Sequence, residues 1–314
     1  MASPAVWIAL LAVMNLFWAG SYSVMKYGLA SLDPLSLVFW RLSIGFIILA
    51  GWIAIRRYDL RIGWRDGLRV ASSGICIALS SYLTVIGVEM SHASDASLLY
   101  VFEPVWAIIL ACIFLKERML MSTILGLVIA IAGLVRLSGF DIAAGGLPDS
   151  GVGLGNALIV IGLMSEGLFS IMLKPASKRR PVVVLLAGVL LVASLTLAIP
   201  MHFKNGFSLA IDRAGIFSIG YLAVICTALG YSVWVAVLRH VPLSVMEFTI
   251  FIQPIAGMLI ATAALGEPID NRVIWGGALC IAGMAVAVTG HIRYAKKNGR
   301  ALATKDFVMP ADAL

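Results

Sequence analysis

Charged side chains are scarce in this chain of 314 residues: only 12% are Asp, Glu, Lys or Arg, whereas 61% are apolar. Soluble domains usually carry about 25% charged and about 45–50% apolar residues. Uncharged runs such as 5–25, 181–201 and 273–290 approach the ~20 residues that a helix needs to cross a bilayer core of ~30 Å. About ten such segments in succession exclude a soluble protein and predict a membrane protein.

Cysteine and histidine are also rare, with four residues of each type. All four cysteines fall inside apolar runs, so we interpret them as small packing residues rather than as a disulfide framework. The chain has no Walker motif, no metal-spaced Cys/His cluster and no Gly-x-Ser-x-Gly elbow. The sequence therefore predicts no metal, no cofactor and no catalytic centre, and it excludes direct use of ATP.

The apolar runs predict an all-α integral membrane protein whose transmembrane helices are separated by short polar breaks. The N-terminal run lacks a basic leader and is too long for the apolar core of a signal peptide, so we interpret it as a retained helix. The predicted spans are 6–27, 34–55, 67–88, 93–115, 121–138, 151–173, 181–201, 215–238, 243–265 and 271–291.

Lysine and arginine set the predicted orientation. If the N-terminus lies inside, the even-numbered loops and the C-terminal tail are cytoplasmic, and they hold 17 of the 23 basic residues. Basic residues near span ends favour the cytoplasmic side. The sequence thus predicts that both termini are cytoplasmic, with 292–314 as a basic tail. The net charge of +7 follows from these loops and does not predict a nucleic-acid surface.

An internal repeat divides the chain into two halves, 1–140 and 151–291. Ten spans give five per copy, an odd number, so the second copy must enter the membrane from the opposite side. Inverted repeats of this kind are typical of secondary transporters, with the substrate site near the midplane between the halves. At an offset of 150 the matches are Pro104 with Pro254, Glu117 with Glu267, Gly126 with Gly276, and 131–133 with 281–283; at 148, Trp18 matches Glu166.

Several short motifs carry a family resemblance. They are Phe102-Glu103-Pro104-Val105-Trp106-Ala107 with Leu115-Lys116-Glu117-Arg118, their second copies Gln253-Pro254-Ile255 and Leu265-Gly266-Glu267-Pro268, and Phe17-Trp18-Ala19-Gly20-Ser21 and Phe39-Trp40-Arg41-Leu42. In these motifs the chain resembles the drug/metabolite transporter superfamily, specifically its EamA-type ten-helix exporters. The resemblance covers 6–291 and implies a basket of helices around a central cavity, alternating access and export. It does not specify a substrate.

Glu166 is the first candidate for a functional carboxylate. An ionised carboxylate near the bilayer centre costs about 2.5–3.5 kcal/mol on insertion scales, so Glu166 should face a cavity or a partner. Because removal from water favours the protonated carboxyl, we interpret it as a proton-coupling or cation-binding group. The alternative is a glutamate that reaches water at the cytoplasmic interface. Glu166 and Lys174 also resemble a pair in small multidrug resistance transporters, but Trp18 stands at the matching place in helix 1.

Glu103 and its repeat counterpart Gln253 each precede a proline. Proline removes one backbone hydrogen bond, so these polar residues either line a cavity or bond the freed carbonyl. Arg41 lies at comparable depth in the second span. A pair between Arg41 and Glu103 is a further hypothesis, in which the two charges orient helices without touching substrate.

Aromatic residues recur at helical spacing in several spans. They indicate either stacking on an aromatic or amphipathic substrate or ordinary helix packing and interfacial belts. Glycines spaced by seven on the fifth and tenth spans predict close helix packing. The candidate substrate-binding residues are Trp18, Tyr22, Tyr82, Tyr100, Glu103, Trp106, Glu166, Tyr231, Trp234 and Gln253.

Together these patterns favour a multi-pass transporter of the cell inner membrane that exports a small metabolite such as an amino acid. The alternative is a multidrug exporter of amphipathic or cationic compounds, which Glu166 and the aromatic residues favour. A membrane enzyme would need polar residues clustered at one membrane face, and a structural protein would not require inverted repeats. The expected partners are the bilayer, a small-molecule substrate and protons. The oligomeric state is open, and a monomer fits the sequence.

Overall fold

The structure is a computed structural model that describes residues 4–114, 120–137, 150–203, 212–237, 246, 249–250 and 252–297, and this part of the chain is helical with short connections. The first half contains α1 (Pro4–Gly28), α2 (Pro34–Arg56), α3 (Trp64–Met90), α4 (Ala93–Leu99), α5 (Phe102–Phe114) and α6 (Met121–Leu137). The second contains α7 (Ser150–Ser177), α8 (Val182–Phe203), α9 (Arg213–Gly220), a π-helical segment (Tyr221–Gly230), α10 (Tyr231–Val237), α11 (Ile252–Leu265) and α12 (Asn271–Lys297).

Five helical segments of the described chain are long and apolar enough to cross a membrane: Pro34–Arg56, Trp64–Met90, Gly151–Ser177, Val182–Phe203 and Arg213–Val237. Shorter apolar helices cover Ile124–Leu137, Ile252–Leu265 and Asn271–Ala287. These segments agree with the predicted spans to within a few residues. The predicted span 243–265 lies partly outside the described residues. The last helix continues to Lys297, beyond the predicted end at 291, and the remainder of the predicted tail lies outside the description.

Local sequence explains where α2 begins and ends. The Asp33 carboxylate accepts hydrogen bonds from the backbone N–H groups of Leu35 (3.1 Å) and Ser36 (3.2 Å), and Pro34 occupies the first helical position. A carboxylate cap followed by proline is a strong start signal for a helix. The helix ends where Arg57 adopts a left-handed conformation (φ 52°), and its N–H bonds the last turn.

The predicted span 93–115 is not one continuous helix. It is broken at Tyr100 and Val101, which separate α4 from α5. The N–H groups of Tyr100, Val101 and Glu103 bond carbonyls three residues earlier, as in a tight turn. Pro104 explains the break, because proline has no N–H to donate to the carbonyl four residues earlier.

The two halves interdigitate instead of standing side by side. The most extensive contacts join α3 to α7 and α6 to α12, followed by α2 with α8, α3 with α8 and α1 with α11. Each of these pairs takes one helix from each half. The core therefore lies between the repeats, and neither half encloses a core of its own.

A glycine seam joins α6 and α12. A Cβ atom added at Gly283 would lie 2.5 Å from the carbonyl oxygen of Gly126, and one added at Gly133 would lie 2.7 Å from that of Gly276. The offset of 150 exchanges these two contacts, so the helices run antiparallel about an approximate two-fold axis. Near that axis the Cys280 thiol donates to the carbonyl of Ala130, its own repeat counterpart, over 3.7 Å. The predicted close packing of these glycines is confirmed.

Candidate functional site

Glu166 lies in the middle of α7, where side chains from both halves meet. Its Oε1 accepts a hydrogen bond from the Tyr231 hydroxyl over 3.1 Å, and its Oε2 accepts a weaker one from the Ser80 hydroxyl over 3.4 Å. Ser80 belongs to α3 of the first half, whereas Tyr231 begins α10 of the second. The side chain remains partly exposed. The Glu166 carboxylate is thus held by two hydroxyl groups and is not fully buried.

Arg41 on α2 supplies the positive charge near this carboxylate. It is only 6% exposed, and its charge acts on Glu166, Tyr22 and Tyr231. Among the described residues it has no carboxylate within the 4.0 Å of an ion pair, and its buried Nε has no hydrogen-bond partner. The hypothetical Arg41–Glu103 pair is therefore not formed. Glu103 lies instead in the first turn of α5, just after the break that Pro104 imposes.

Aromatic rings surround the two charges. Trp18 contacts Tyr231 and Trp234, with ring centroids 6.3 and 6.0 Å apart, and Tyr22 contacts Tyr100 at 6.0 Å. The charges of Glu103 and Glu166 both act on Tyr22 and Tyr100. The structure therefore brings most of the predicted site residues into one neighbourhood, which we call the central cluster: Trp18, Tyr22, Arg41, Tyr100, Glu103, Glu166, Tyr231 and Trp234.

Three predicted site residues have other contacts. The Trp106 indole donates to the carbonyl of Val160 over 3.0 Å, which fastens α5 to α7. Gln253 is 1% exposed and donates to Asn15 over 2.6 Å, while Asn15 donates to Thr249 over 2.8 Å. Tyr82 packs against the core, and no ring contact or hydrogen bond joins it to the central cluster within the described chain.

Sequence reasoning missed three residues of this neighbourhood, and one of them is Ser80, which donates to Glu166. Phe169 contacts the Tyr231 ring at 5.8 Å, and the Ser170 hydroxyl accepts a hydrogen bond from the Trp234 indole over 3.1 Å. Phe169 lies three residues after Glu166, so the helical spacing from that glutamate would have found it. Ser170 lies four residues after Glu166 on the same face, so the same spacing would have found it, although not its bond to Trp234, which lies 64 residues away.

A second polar group joins the halves at the end of the molecule where α4 begins. The Arg272 guanidinium contacts the fully buried Asp95 carboxylate at 2.7 Å, and Nδ1 of His92 lies 3.6 Å from the same carboxylate. The two oxygens of Glu267 accept the N–H groups of Ala93 and Ser94, each over 2.9 Å. We call His92, Asp95, Glu267 and Arg272 the polar latch.

Lys26 and His92 show how this end is held electrostatically. The Lys26 ammonium donates to the carbonyls of Val88 (2.8 Å) and Ser91 (2.5 Å) at the C-terminal end of α3. The helix dipole favours a cation at this end. The nearby Asp95 carboxylate raises the pKa of His92 above its ordinary value, against the opposing effect of burial. The N-terminal end of α4 in the first half is thus bound by Glu267 and Arg272 of the second half.

No cluster of three or more His, Cys, Asp or Glu side chains that could hold a metal ion occurs in the described part of the chain. Acidic groups in the centre are instead surrounded by hydroxyls, rings and one guanidinium. Such a site can bind polar groups of a small molecule and exchange protons, and it has no arrangement that points to covalent chemistry.

Comparison with known proteins gives one family. The profile of the EamA-like transporter family matches residues 5–139 and 153–289. An uncharacterized transporter of Archaeoglobus fulgidus is 26% identical over 284 residues, which are 90% of this chain and 98% of the relative. A solved crystal structure shares 17% identity, has a TM-score of 0.64 and covers 91% of this chain and 98% of the other, which supports the fold alone.

Two further relatives have more specific names. A "probable terminal-alkyne amino-acid exporter" of Streptantibioticus cattleyicolor is 27% identical over 308 residues, 95% of this chain and 99% of the relative. A "probable amino-acid metabolite efflux pump" of Salmonella typhimurium is 25% identical over 295 residues, 90% of this chain and 94% of the relative. The two profile matches show that the chain contains two EamA repeats.

Proposed function

The chain belongs to the EamA-like transporter family and is a multi-pass protein of the cell inner membrane, and on this premise we propose that it is a secondary active exporter. Its substrate is a small metabolite such as an amino acid, which moves by alternating access of a site between the two halves. The names of the Streptantibioticus and Salmonella relatives support this substrate class.

The observation that carries the proposal is the position of Glu166. Its hydrogen-bond partners come from both halves, Ser80 from the first and Tyr231 from the second. A shift of one half against the other would change these bonds and the proximity of Arg41 together. The carboxylate would then hold a proton or a substrate group in one arrangement and release it in the other. Protons are the coupling ion that this chemistry favours.

We propose ten membrane spans with both termini in the cytoplasm. The distribution of lysine and arginine supports this orientation. In it, α1 ends and α4 and α12 begin at the outer face, so the polar latch lies on the outside. The latch would then close the outer side of the central cluster in this structure, and it would have to separate before substrate leaves.

A multidrug exporter of cationic compounds is the second candidate, because aromatic rings and a carboxylate suit such ligands. The Arg41 guanidinium weighs against it. A bound cation would lie near this charge, which repels it within a site of low polarity. A neutral or zwitterionic metabolite meets no such cost.

Counterflow in proteoliposomes tests the proposal. The panel consists of amino acids and lipophilic cations. For each compound, vesicles loaded with the unlabelled form would be diluted into buffer that contains the radiolabelled form. We expect uptake of label for at least one amino acid above that of protein-free vesicles. The variant Glu89→Gln, which changes an exposed carboxylate of α3, should behave like the wild type. Exchange confined to lipophilic cations would favour the second candidate.

A further inference from the structure

The Arg41 side chain is buried without the partner that such a charge usually has. It is 6% exposed, and no described carboxylate lies within 4.0 Å of it. A buried charge is costly unless it is paired and hydrogen-bonded. Its Nε also has no hydrogen-bond partner among the described residues. A guanidinium in this state is ready to bind an anionic group from outside the protein.

The surroundings of Arg41 show that its head points into the interface between the halves. Its charge acts on Tyr22 of α1, Glu166 of α7, Cys226 of the π-helical segment and Tyr231 of α10. α2 packs against α8 and the π-helical segment of the second half, and a Cβ added at Gly45, one turn from Arg41, would lie 2.9 Å from the Thr227 side chain. The guanidinium therefore faces the central cluster and not the lipid.

Glu166 provides the opposite charge but does not neutralise Arg41 directly. The two side chains interact electrostatically, yet they are more than 4.0 Å apart. The Glu166 carboxylate receives two hydroxyl donors and has about four acceptor positions, so it can accept further donors. A guanidinium whose Nε has no described partner thus lies more than 4.0 Å from a carboxylate with spare acceptor capacity.

We propose that Arg41 and Glu166 form the two ends of a site for the main-chain groups of an α-amino acid. The guanidinium binds the carboxylate of the ligand through paired N–H donors, the geometry that arginine favours. The Glu166 carboxylate binds the ligand's ammonium group. This inference rests on the proposed function and names the two groups that a substrate must carry.

The rings beside the two charges suit an apolar or aromatic side chain of the ligand. Trp18, Phe169 and Tyr231 meet at centroid distances of 5.8–6.3 Å. Rings in such tilted arrangements offer faces and edges on which another ring can pack. Phenylalanine and its single-group analogues are therefore suitable probes.

Binding to the purified protein in nanodiscs would be measured by calorimetry with three probes. L-phenylalanine carries both charges, L-phenylalaninamide lacks the carboxylate, and 3-phenylpropanoate lacks the ammonium group. Wild-type protein should bind L-phenylalanine at least about tenfold more tightly than either analogue. Equal affinities for all three probes would overturn the inference.

Two variants then assign each end separately. Arg41→Gln should lose the preference for L-phenylalanine over the amide while keeping its preference over 3-phenylpropanoate. Glu166→Gln should show the reverse. A purely structural role for Arg41 would weaken all three probes alike, and that result would overturn the assignment. If Arg41→Gln does not fold, Arg41→Lys keeps the charge but loses the paired donors, so it should weaken L-phenylalanine more than the amide.

Counterflow separates failure of this inference from failure of the proposed function. If wild-type vesicles exchange amino acids but the variants leave the probe ratios unchanged, the two-ended site is wrong and the exporter proposal stands. If wild-type protein binds and exchanges only the cationic amide, both are wrong. The crossed pattern of the two variants together with amino-acid exchange would support both.

Discussion

Trp18 and Glu166 occupy equivalent positions in the two halves, and their environments differ in kind. The Trp18 ring lies against Gly230, where an added Cβ would come within 2.9 Å of it, and its indole donates to the Cys226 carbonyl over 3.1 Å. The repeat counterpart of Gly230 is Ser80, which donates to Glu166. At the first position an indole ring packs against the backbone of the other half. At the second position a carboxylate accepts hydrogen bonds from two hydroxyl groups. These two equivalent positions therefore carry one carboxylate and not a symmetric pair.

Glu166→Gln keeps the size of the side chain but removes its titration. We expect the variant to lose export driven by a pH gradient and to keep some equilibrium exchange, because only net transport needs proton release. Both activities would be measured in the same proteoliposomes with and without a gradient, and Glu89→Gln is the control. Accumulation at the wild-type level would exclude a coupling role and make Glu103 the next candidate.

Gly133→Ala should destabilise the protein by about 1–3 kcal/mol, the usual range for overpacking. The new Cβ would meet the backbone oxygen of Gly276 at 2.7 Å and the backbone nitrogen of Cys280 at 2.7 Å, neither of which can rotate away. Gly51→Ala on α2 is the matched control, since a Cβ there meets nothing within 4 Å. Thermal unfolding in detergent should show a lower Tm for Gly133→Ala alone, and equal Tm values would contradict the seam.

Asp95→Asn removes the charge that pairs with Arg272 in the polar latch. Breaking a buried pair usually costs about 3–5 kcal/mol, because the remaining charge stays uncompensated. Asp95 is fully buried, so we expect a clear fall in Tm. Glu89→Gln, an exposed change on the neighbouring α3, should leave Tm unaltered. Equal Tm values for the two variants would show that the pair between Asp95 and Arg272 does not stabilise the protein.

The latch should weaken as the pH rises. The groups that act on His92 are Asp95, Arg272 and Glu267, and the carboxylate of Asp95 raises its pKa. Protonated His92 therefore stabilises the fold fully below the unfolded pKa of about 6.5, and this contribution is lost as the pH passes through the higher folded value. Tm measured across this interval should fall for the wild type and less for His92→Gln. If Tm falls with pH equally in the wild type and in His92→Gln, His92 does not contribute to the pH dependence of stability.

The proposed orientation can be tested with single cysteines in a cysteine-free background. Ala30 and Lys178 are both exposed and lie in connections at opposite ends of the helices. A membrane-impermeant maleimide should label Ala30→Cys in intact cells and Lys178→Cys only after lysis. The reverse pattern would invert the topology and move the polar latch to the cytoplasmic side.

Much of the fold follows from local sequence. Apolar runs of span length and caps such as Asp33-Pro34 act within a few residues, so the sequence predicts where helices occur. The glycines of α6 and α12 were predictable because small residues at a constant spacing are useful only when another helix approaches closely. Tyr100 and Val101 were not predicted as a break, since proline in a membrane helix often only kinks it.

The central cluster was predictable only as a set of residue types. Sequence spacing selects Tyr231 and Glu166 as polar groups in apolar spans, but their hydrogen bond crosses 65 residues. Trp106 and Gln253 were chosen on the same grounds, and their polar atoms bind the Val160 carbonyl and Asn15. A pair between Arg41 and Glu103 was one hypothesis, yet no described carboxylate lies within 4.0 Å of Arg41, and periodicity does not show which charges meet. Packing between the two halves determines which hydrogen-bond partner each of these side chains meets.

The interdigitated packing has a consequence for biosynthesis. When the first half leaves the ribosome, α3 and α6 reach the membrane before α7 and α12, the helices that cover them. During that interval the glycine face of α6 and the hydroxyls of α3 lack the helices that cover them in the folded protein. The helices of the first half therefore complete their packing only when the second half arrives.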